Sequence, residues 1–461
     1  MTVAPPSAGA AGVRAARSAV VHSSAAAVLA ASLSWAHGLA LGFVYDAAQY
    51  WNAPTALLSG GDVVNSGALS MRGVLTVFVY LPPAILTSIL GPGSAAWTVL
   101  AWNSLLAAAV CVLLLPRLAA SVVPGNSMAR LWVSAGVGGI LLSGFSQYPL
   151  LDTWAVGAAL LGLCLLLRGD RWWTAVAGGV AFAVAINLRP SYVLPLLIAA
   201  GLLLLARPRR IGLAVPGAIA TLVPQVVFNL TNFNSIGVVP YATSYLATVQ
   251  AAQATYAVRY DTILFASRNP QQWYCDPTFA DRLVGESPPA DQLGVVTSLI
   301  GHLPDSLWFL FEKAAANLQW TFATPYGLDP GSPLSLMTLL VIAVTSTGFV
   351  SLVIHTVVAR RDRLRLASGV SLLAFWLGSL ATLVLSTPES RFALPLVLVG
   401  LIGVLCSIPR QLRSVRIGRA LLIGIAASIA LAVALLLAGR IALSHPAPAG
   451  PLKSVVACAR L

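Results

Sequence analysis

Residues 74–91, VLTVFVYLPPAILTSILG, decide how the rest of this 461-residue chain is arranged. The run is apolar enough to cross a membrane, but Pro82 and Pro83 sit in its middle. Each proline removes a backbone donor and restricts the residue before it, so a clean helical span is not expected there. Whether the run crosses fixes the side of every loop on one flank of it.

Other apolar runs approach the roughly 20 residues that a ~30 Å hydrocarbon core requires. They lie at 19–43, 96–115, 131–148, 153–167, 172–188, 191–206, 211–229, 334–359, 367–386, 392–408 and 420–442. If 74–91 does not cross, one face collects Arg14, Arg17, Arg117, Arg130, Arg168, Arg171, Arg207, Arg209, Arg210, Arg360, Arg361, Arg363, Arg365, Arg410, Arg413, Arg416 and Arg419. These are 17 of the 27 basic residues, in short loops, with only Asp170 and Asp362 as acids. The opposite face takes the other 10 basic residues and 12 of the 14 acids. A crossing at 74–91 would destroy this asymmetry, and Arg-rich short loops mark the cytoplasmic side.

The expectation is therefore an all-α polytopic membrane protein with 11 transmembrane helices. Its N-terminus is cytoplasmic, its C-terminus outside, and 74–91 is re-entrant or lies along the membrane. Residues 1–18 form a cytoplasmic tail and 19–445 the transmembrane domain. Outer loops at 44–95 and 230–333 carry juxtamembrane helices, and 446–461 form an outer tail. The Ala/Pro-rich pieces 1–12 and 446–451 read as disordered. Arg14 and Arg17 before an apolar stretch mimic a secretory signal. The stretch is long, however, contains Trp35 and His37, and is followed by ten more runs, so it reads as an uncleaved first span.

Composition agrees. The chain is 58% hydrophobic and 9% charged, with mean hydropathy +0.85. Soluble domains run near 25% charged, which excludes a soluble globular enzyme, a disordered chain and a secreted disulfide scaffold. The net charge of +13 resides in short Arg clusters without interleaved aromatics, a topology signal rather than a nucleic-acid surface. Cys111, Cys164 and Cys406 fall in apolar runs as ordinary packing. Cys275 and Cys458 fall outside, where a disulfide between them stays open. There is no CxxC, HExxH, P-loop or GxGxxG with an acidic partner.

Ionisable residues gather at the outer ends of the runs. Asp46 follows the first, in VYDAAQYWN among Tyr45, Tyr50 and Trp51; Arg72 lies in SMRGVL. Asp152 sits in the turn SQYPLLDTW, Arg189 in INLRPSY, and Glu389 and Arg391 in TPESRFALP. Singly, each reads as a capping or snorkelling group. Together, Arg72, Arg189 and Arg391 are three cations at span ends on the face that disfavours them. Orientation does not explain that, whereas binding an anion at the outer surface does.

The motifs YDAAQYW, SMRGVL, LLD, LRPSYVLPLL and ESRFALPL, in that order and on one membrane side, resemble those of the type-C (GT-C) glycosyltransferase superfamily. The likeness is to the relatives of protein O-mannosyltransferases and lipid A aminoarabinose transferases, and it covers residues 19–408. The sequence departs from some relatives in carrying a lone acid at Asp46 rather than an acidic pair, and no soluble carbohydrate-binding domain follows the last span. The resemblance implies a sugar donor on a polyprenyl phosphate and transfer on the outer face of the plasma membrane. It further implies Asp46 as general base and Asp152 as the second acid of the catalytic site. Arg72, Arg189 and Arg391 would hold the donor phosphate, while Tyr50, Trp51, Glu389 and Tyr192 line the substrate. The acceptor would be an envelope glycan, a lipid or a protein. The Ala/Val/Leu/Gly/Arg-rich usage fits a high-GC bacterium. Related mannosyl- and arabinosyltransferases of actinobacteria act on envelope glycans, but the sequence selects no sugar.

The chemistry is coherent without the resemblance. A phosphate leaving group demands no general acid, so one carboxylate suffices. Cations at the phosphate stabilise the charge that develops as the glycosidic bond breaks. Direct displacement inverts the anomeric centre; double displacement would need a second carboxylate as nucleophile.

Asp62 reads as a solvated loop acid, and Asp276, Asp281, Glu286 and Asp291 as a wet acidic surface. A divalent cation on that patch, or between Asp46 and Asp62, stays open, because oxygen ligands without spacing are no signature. Gln271-Gln272-Trp273-Tyr274 reads either as an acceptor groove or as interfacial anchoring, and Trp308 and Trp320 suit the headgroup level. Asn229-Leu230-Thr231 matches a glycosylation sequon. The competing reading is a transporter or lipid-linked-sugar flippase, which would place ionisable groups and broken helices near the midplane, often in paired halves. Here they crowd the outer ends. A non-catalytic scaffold would leave Arg189 and Arg391 unexplained.

Overall fold

A computed structural model describes residues 8–64, 68–70, 72–125, 127–241, 244–264, 271–276, 279, 289–320, 326, 335–408, 419–444 and 446. Leu-, Ala- and Val-rich runs satisfy their backbone internally as helices, the arrangement that a bilayer permits. Among the described residues, six helices are long and apolar enough to cross a membrane: Pro92–Val122, Pro208–Phe233, Leu336–Arg361, Arg363–Leu385, Ser390–Ser407 and Leu422–Ala442. The chain is a helical membrane protein.

In chain order the amino-terminal half contains α1 (Ala8–Leu33), α2 (Tyr45–Leu58), α3 (Thr76–Val79) and α4 (Leu81–Leu90). Then come α5 (Ala95–Ala109) and α6 (Leu115–Val122), joined through a π turn at Val110–Leu114, and α7 (Met128–Leu142). They are followed by α8 (Asp152–Arg168), α9 (Trp172–Leu188), α10 (Val193–Ala206) and α11 (Pro208–Phe233). The segment after α11 holds α12 (Ser244–Tyr256), β1 (Ala257–Thr262), β2 (Gln271–Cys275), α13 (Gln292–Gly301) and α14 (Asp305–Asn317). The chain then runs through α15 (Leu336–Val358), α16 (Arg363–Leu385), α17 (Leu394–Ser407) and α18 (Arg419–Ala442).

Each of the 11 expected runs overlaps a helix, but α7, α8, α9 and α10 have only 15, 17, 17 and 14 residues. The core is a continuous apolar cluster reaching from Ala26 through α5–α10 to α15–α18. Helices α15 and α17 pack backbone to backbone. A methyl at Gly348 would strike the Gly400 carbonyl, and one at Gly403 the Gly348 carbonyl. Close approach of this kind supplies the packing that water-driven burial cannot supply between helices within a bilayer.

Several expectations are corrected. Pro82 and Pro83 do not break a helix but open one, at the start of α4, where the missing amide hydrogens cost nothing. Instead the apolar run 74–91 divides at Tyr80 into α3 and α4. The first helix ends at Leu33, about ten residues before the expected end of its run, and its start at Ala8 shortens the tail expected to be disordered. The fold is also not purely helical among the described residues. Strands β1 and β2 pair antiparallel with Tyr260 opposite Trp273, and the β-branched and aromatic residues of AVRYDT and QQWYC suit a pleated surface. Trp273 and Tyr274 are buried in this hairpin, so they neither line an open groove nor anchor at an interface.

Candidate active site

The site begins at the first turn of α2. Val44 caps the helix without a side-chain bond, so Asp46 is not a capping residue. It sits in the first turn, where the helix dipole favours a carboxylate. The Tyr326 hydroxyl, contributed from nearly 300 residues away, donates to the Val44 carbonyl at 3.4 Å and accepts the Ala47 amide at 3.3 Å. That bridge fixes the turn from both sides of Asp46.

Arg391 meets Asp46 from the turn between α16 and α17. Its Nη2 donates to Asp46 Oδ2 at 2.6 Å, and its Nε bonds Glu389. The Arg391 side chain is 6% exposed and that of Asp46 22%, so the carboxylate keeps an edge open to solvent. Three elements of the 244–320 segment hold the turn in place. The Tyr260 amide of β1 donates to Pro388 O at 2.7 Å, Thr387 Oγ1 to Gln253 Oε1 at 2.9 Å, and Trp320 Nε1 to Ser390 O at 3.1 Å. Trp320 is thus buried, a brace for the site rather than a headgroup anchor.

Arg189, which closes α9, forms a buried ion pair with Asp152 at the start of α8. Its guanidinium lies 4.0 Å from the centre of the Phe392 ring, and that of Arg391 lies 5.3 Å away, so one ring is shared by two cations. The Asp152 turn is sutured by Asn103. Its amide donates to Ser146 O and Tyr148 O, and its carbonyl accepts from Tyr80 and Trp154. Arg72 is carried on a loop pinned to the end of α9. Gly73 N donates to Asn187 O, Leu75 N to Asn187 Oδ1 and Val74 N to Gln225 Oε1, all at 2.8–2.9 Å. A side chain at Gly73 would overlap Asn187, so this approach needs glycine. The Arg72 guanidinium stands 5.9 Å from the Tyr50 ring centre.

Electrostatics join the pieces. Burial raises the Asp46 carboxyl, but Arg391, then Arg72 and Arg189, outweigh it and hold it below its ordinary value. Glu389 goes the other way: burial, supported by the neighbouring Asp46, raises it despite Arg391. Burial, then the cations Arg72 and Arg391, push Arg189 down to about 9, still charged at neutral pH. Tyr50 is raised by burial, and its hydroxyl has no hydrogen-bond partner among the described residues. A narrow groove of about 20 Å³, room for little more than a water, lies beside Arg189 and Phe392 between α10 and α16, bordered by Ser191, Tyr192 and Thr382.

Of the residues singled out by sequence, Asp46, Arg391, Glu389, Arg189, Asp152, Arg72 and Tyr50 converge, and Tyr192 borders the groove. Trp51 packs on Phe43 at 5.3 Å instead. Sequence reading missed Tyr326, Tyr260, Phe392 and Asn187. Phe392 and Asn187 stood beside the chosen arginines in the quoted motifs, while Tyr326 and Tyr260 carried no local signal. Asp62 is exposed and accepts the Val64 amide. Asp276 is buried beside Glu312 rather than on a wet patch, Asp291 caps α13, and Asp281 and Glu286 lie outside the described residues. No group of three or more metal-ligating side chains occurs among the described residues. Asn229 is buried and donates to Gly237 O and Val239 O, so the sequon is occupied by structure. Cys275 is disulfide-bonded and Cys111, Cys164 and Cys406 are free; Cys458 lies outside the described residues. No known family model matches the chain, and no curated protein matches it in sequence.

Proposed function

We propose that this chain is an integral-membrane glycosyltransferase of the type-C kind. It would move a sugar from a polyprenyl-phosphate donor to an acceptor hydroxyl on the outer face of the plasma membrane. The observation that carries this reading is the contact of Asp46 with Arg391, 345 residues apart in sequence, inside a cluster that also holds Arg189 and Arg72. Three guanidinium groups face three carboxyls there: Asp46, Asp152 and Glu389. The three guanidinium groups are the kind of donors a phosphodiester monoanion accepts from.

In this reading the donor phosphate approaches the arginine cluster and takes over hydrogen bonds from Arg391. That exchange releases Asp46, whose basicity rises as Arg391 is neutralised. The acceptor O–H gives its proton to Asp46 while its oxygen attacks the anomeric carbon. The carbon–oxygen bond to phosphate breaks, the electron pair leaves with the lipid phosphate, and the configuration inverts. Arg72, Arg189 and Arg391 stabilise the departing charge. Glu389 keeps Arg391 aligned after Asp46 lets go. The reading takes eleven crossings with the N-terminus and the Arg-rich loops cytoplasmic, which would put Asp46 on the outer side.

The test is Arg391→Ala with donor and acceptor varied separately. We expect weakened donor binding, a donor KM raised at least tenfold, and a much smaller change in acceptor KM. Equal losses for both would contradict phosphate contact.

A further inference from the structure

Tyr45 has φ +53°, and the other described non-glycine residue with a left-handed backbone, Asn234, closes a helix in the usual way. An aromatic residue in this conformation is strained and persists only where its surroundings impose it. Tyr326 imposes it: the hydroxyl that bridges Val44 and Ala47 spans Tyr45, and the Tyr326 ring is buried edge-to-face on Tyr148 at 4.9 Å. The result is a division of labour between neighbouring residues. Asp46 reaches in to Arg391, while the Tyr45 ring, 6.1 Å from that of Tyr326, stays 38% exposed. Glycine or asparagine would adopt this turn at less cost, so the fold alone gives no reason for a phenol there.

We propose that the exposed Tyr45 ring is the platform on which the acceptor stacks, and that the acceptor is a carbohydrate. The inference rests on the reading of Asp46 as the base. A sugar offers a face of C–H groups to an aromatic ring and hydroxyls around its rim. The exposed Tyr45 ring offers the face, and the open edge of Asp46 with the half-buried Tyr260 near it offers polar groups for the rim. A peptide acceptor would seek a free strand edge, but the β1 amide nearest the site, that of Tyr260, is already bonded to Pro388. A lipid alcohol would seek an unbroken apolar lining, which the open Asp46 carboxylate interrupts.

The test uses the full-length protein in nanodiscs, with saturation-transfer NMR on methyl mannopyranoside and methyl arabinofuranoside; a Ser/Thr tripeptide and butanol serve as controls. We expect sugar-ring protons to saturate with the unsubstituted protein and Tyr45→Phe, and to lose saturation with Tyr45→Gly. Tyr45→Gly should at the same time keep or raise the melting temperature, because glycine relaxes the turn; a merely structural tyrosine would not dissociate the two readouts. In turnover, Tyr45→Gly should raise acceptor KM about tenfold and leave donor KM unchanged. Unchanged glycoside saturation in Tyr45→Gly, or saturation of the peptide or butanol equal to that of the glycosides, would overturn the proposal. Should no polyprenyl-phosphate sugar be turned over, the transfer reading falls, while the glycoside result still decides the role of Tyr45.

Discussion

Asp152→Asn removes one charge from a pair whose side chains are 5% and 7% exposed, leaving the guanidinium of Arg189 buried beside Arg391 and Arg72. Breaking a buried ion pair by deleting one partner costs about 3–5 kcal/mol, because the surviving charge is neither solvated nor compensated. The Phe392 ring 4.0 Å from Arg189 returns about 1 kcal/mol. The nearby cations act against it, so we expect a loss near 3 kcal/mol. Arg189→Met should cost a similar amount by stranding Asp152. The double variant strands neither charge, and its cost should fall short of the sum by at least ~2 kcal/mol. Reversible unfolding in mixed micelles of rising SDS fraction, followed by circular dichroism, gives all three values. Costs that add to within about 0.5 kcal/mol would show that the pair is not an energetic unit, and the proposed anchoring of Arg189 would fail.

Two further outcomes follow from the 244–320 segment and from the proposed topology. Glu312, 3% exposed in α14, is raised by burial and then by the Asp276 carboxylate to about 7. Its folded form therefore holds the proton more tightly than the unfolded chain. The resulting stability is full below about pH 4.3, the unfolded value, and is lost as pH rises through about 7. Melting temperatures from pH 5 to 7.5 should fall less steeply for Glu312→Gln than for the unsubstituted protein; parallel curves would remove Glu312 from the linkage. Reporter fusions at 207–210 and 409–419 should read cytoplasmic, and an outer reading at either would reverse the assigned sides.

The helices were legible because each apolar run is a local property, and ten of the 11 runs meet a helix with only small shifts at the ends. The first is different: the sequence from Ser34 to Val44 is apolar enough to extend α1, yet its backbone follows turns and extended segments that depend on contacts with distant elements. The hairpin of β1 and β2 was hidden for a related reason. Its strands are short, and its purpose, docking through Tyr260 onto Pro388, is a pairing between residues more than a hundred positions apart. At the site, ionisable groups in apolar company stood out because a charge at a span end is costly. Their braces did not, since Tyr326, Trp320 and Asn187 are common residue types in such sequences and gain meaning only from partners. Arg130 shows a signal with two causes. Counted as a cytoplasmic marker, it is buried and donates to Val123 O and Gly125 O, capping the end of α6.

The most direct measurement is release of free lipid phosphate from a panel of polyprenyl-phosphate sugars by the purified protein and by Asp46→Asn. We expect one donor to be consumed only when an acceptor is present, and the substitution to lower that rate by 10²-fold or more while the variant stays folded and still binds donor. Full turnover by Asp46→Asn would contradict a carboxylate base at this position.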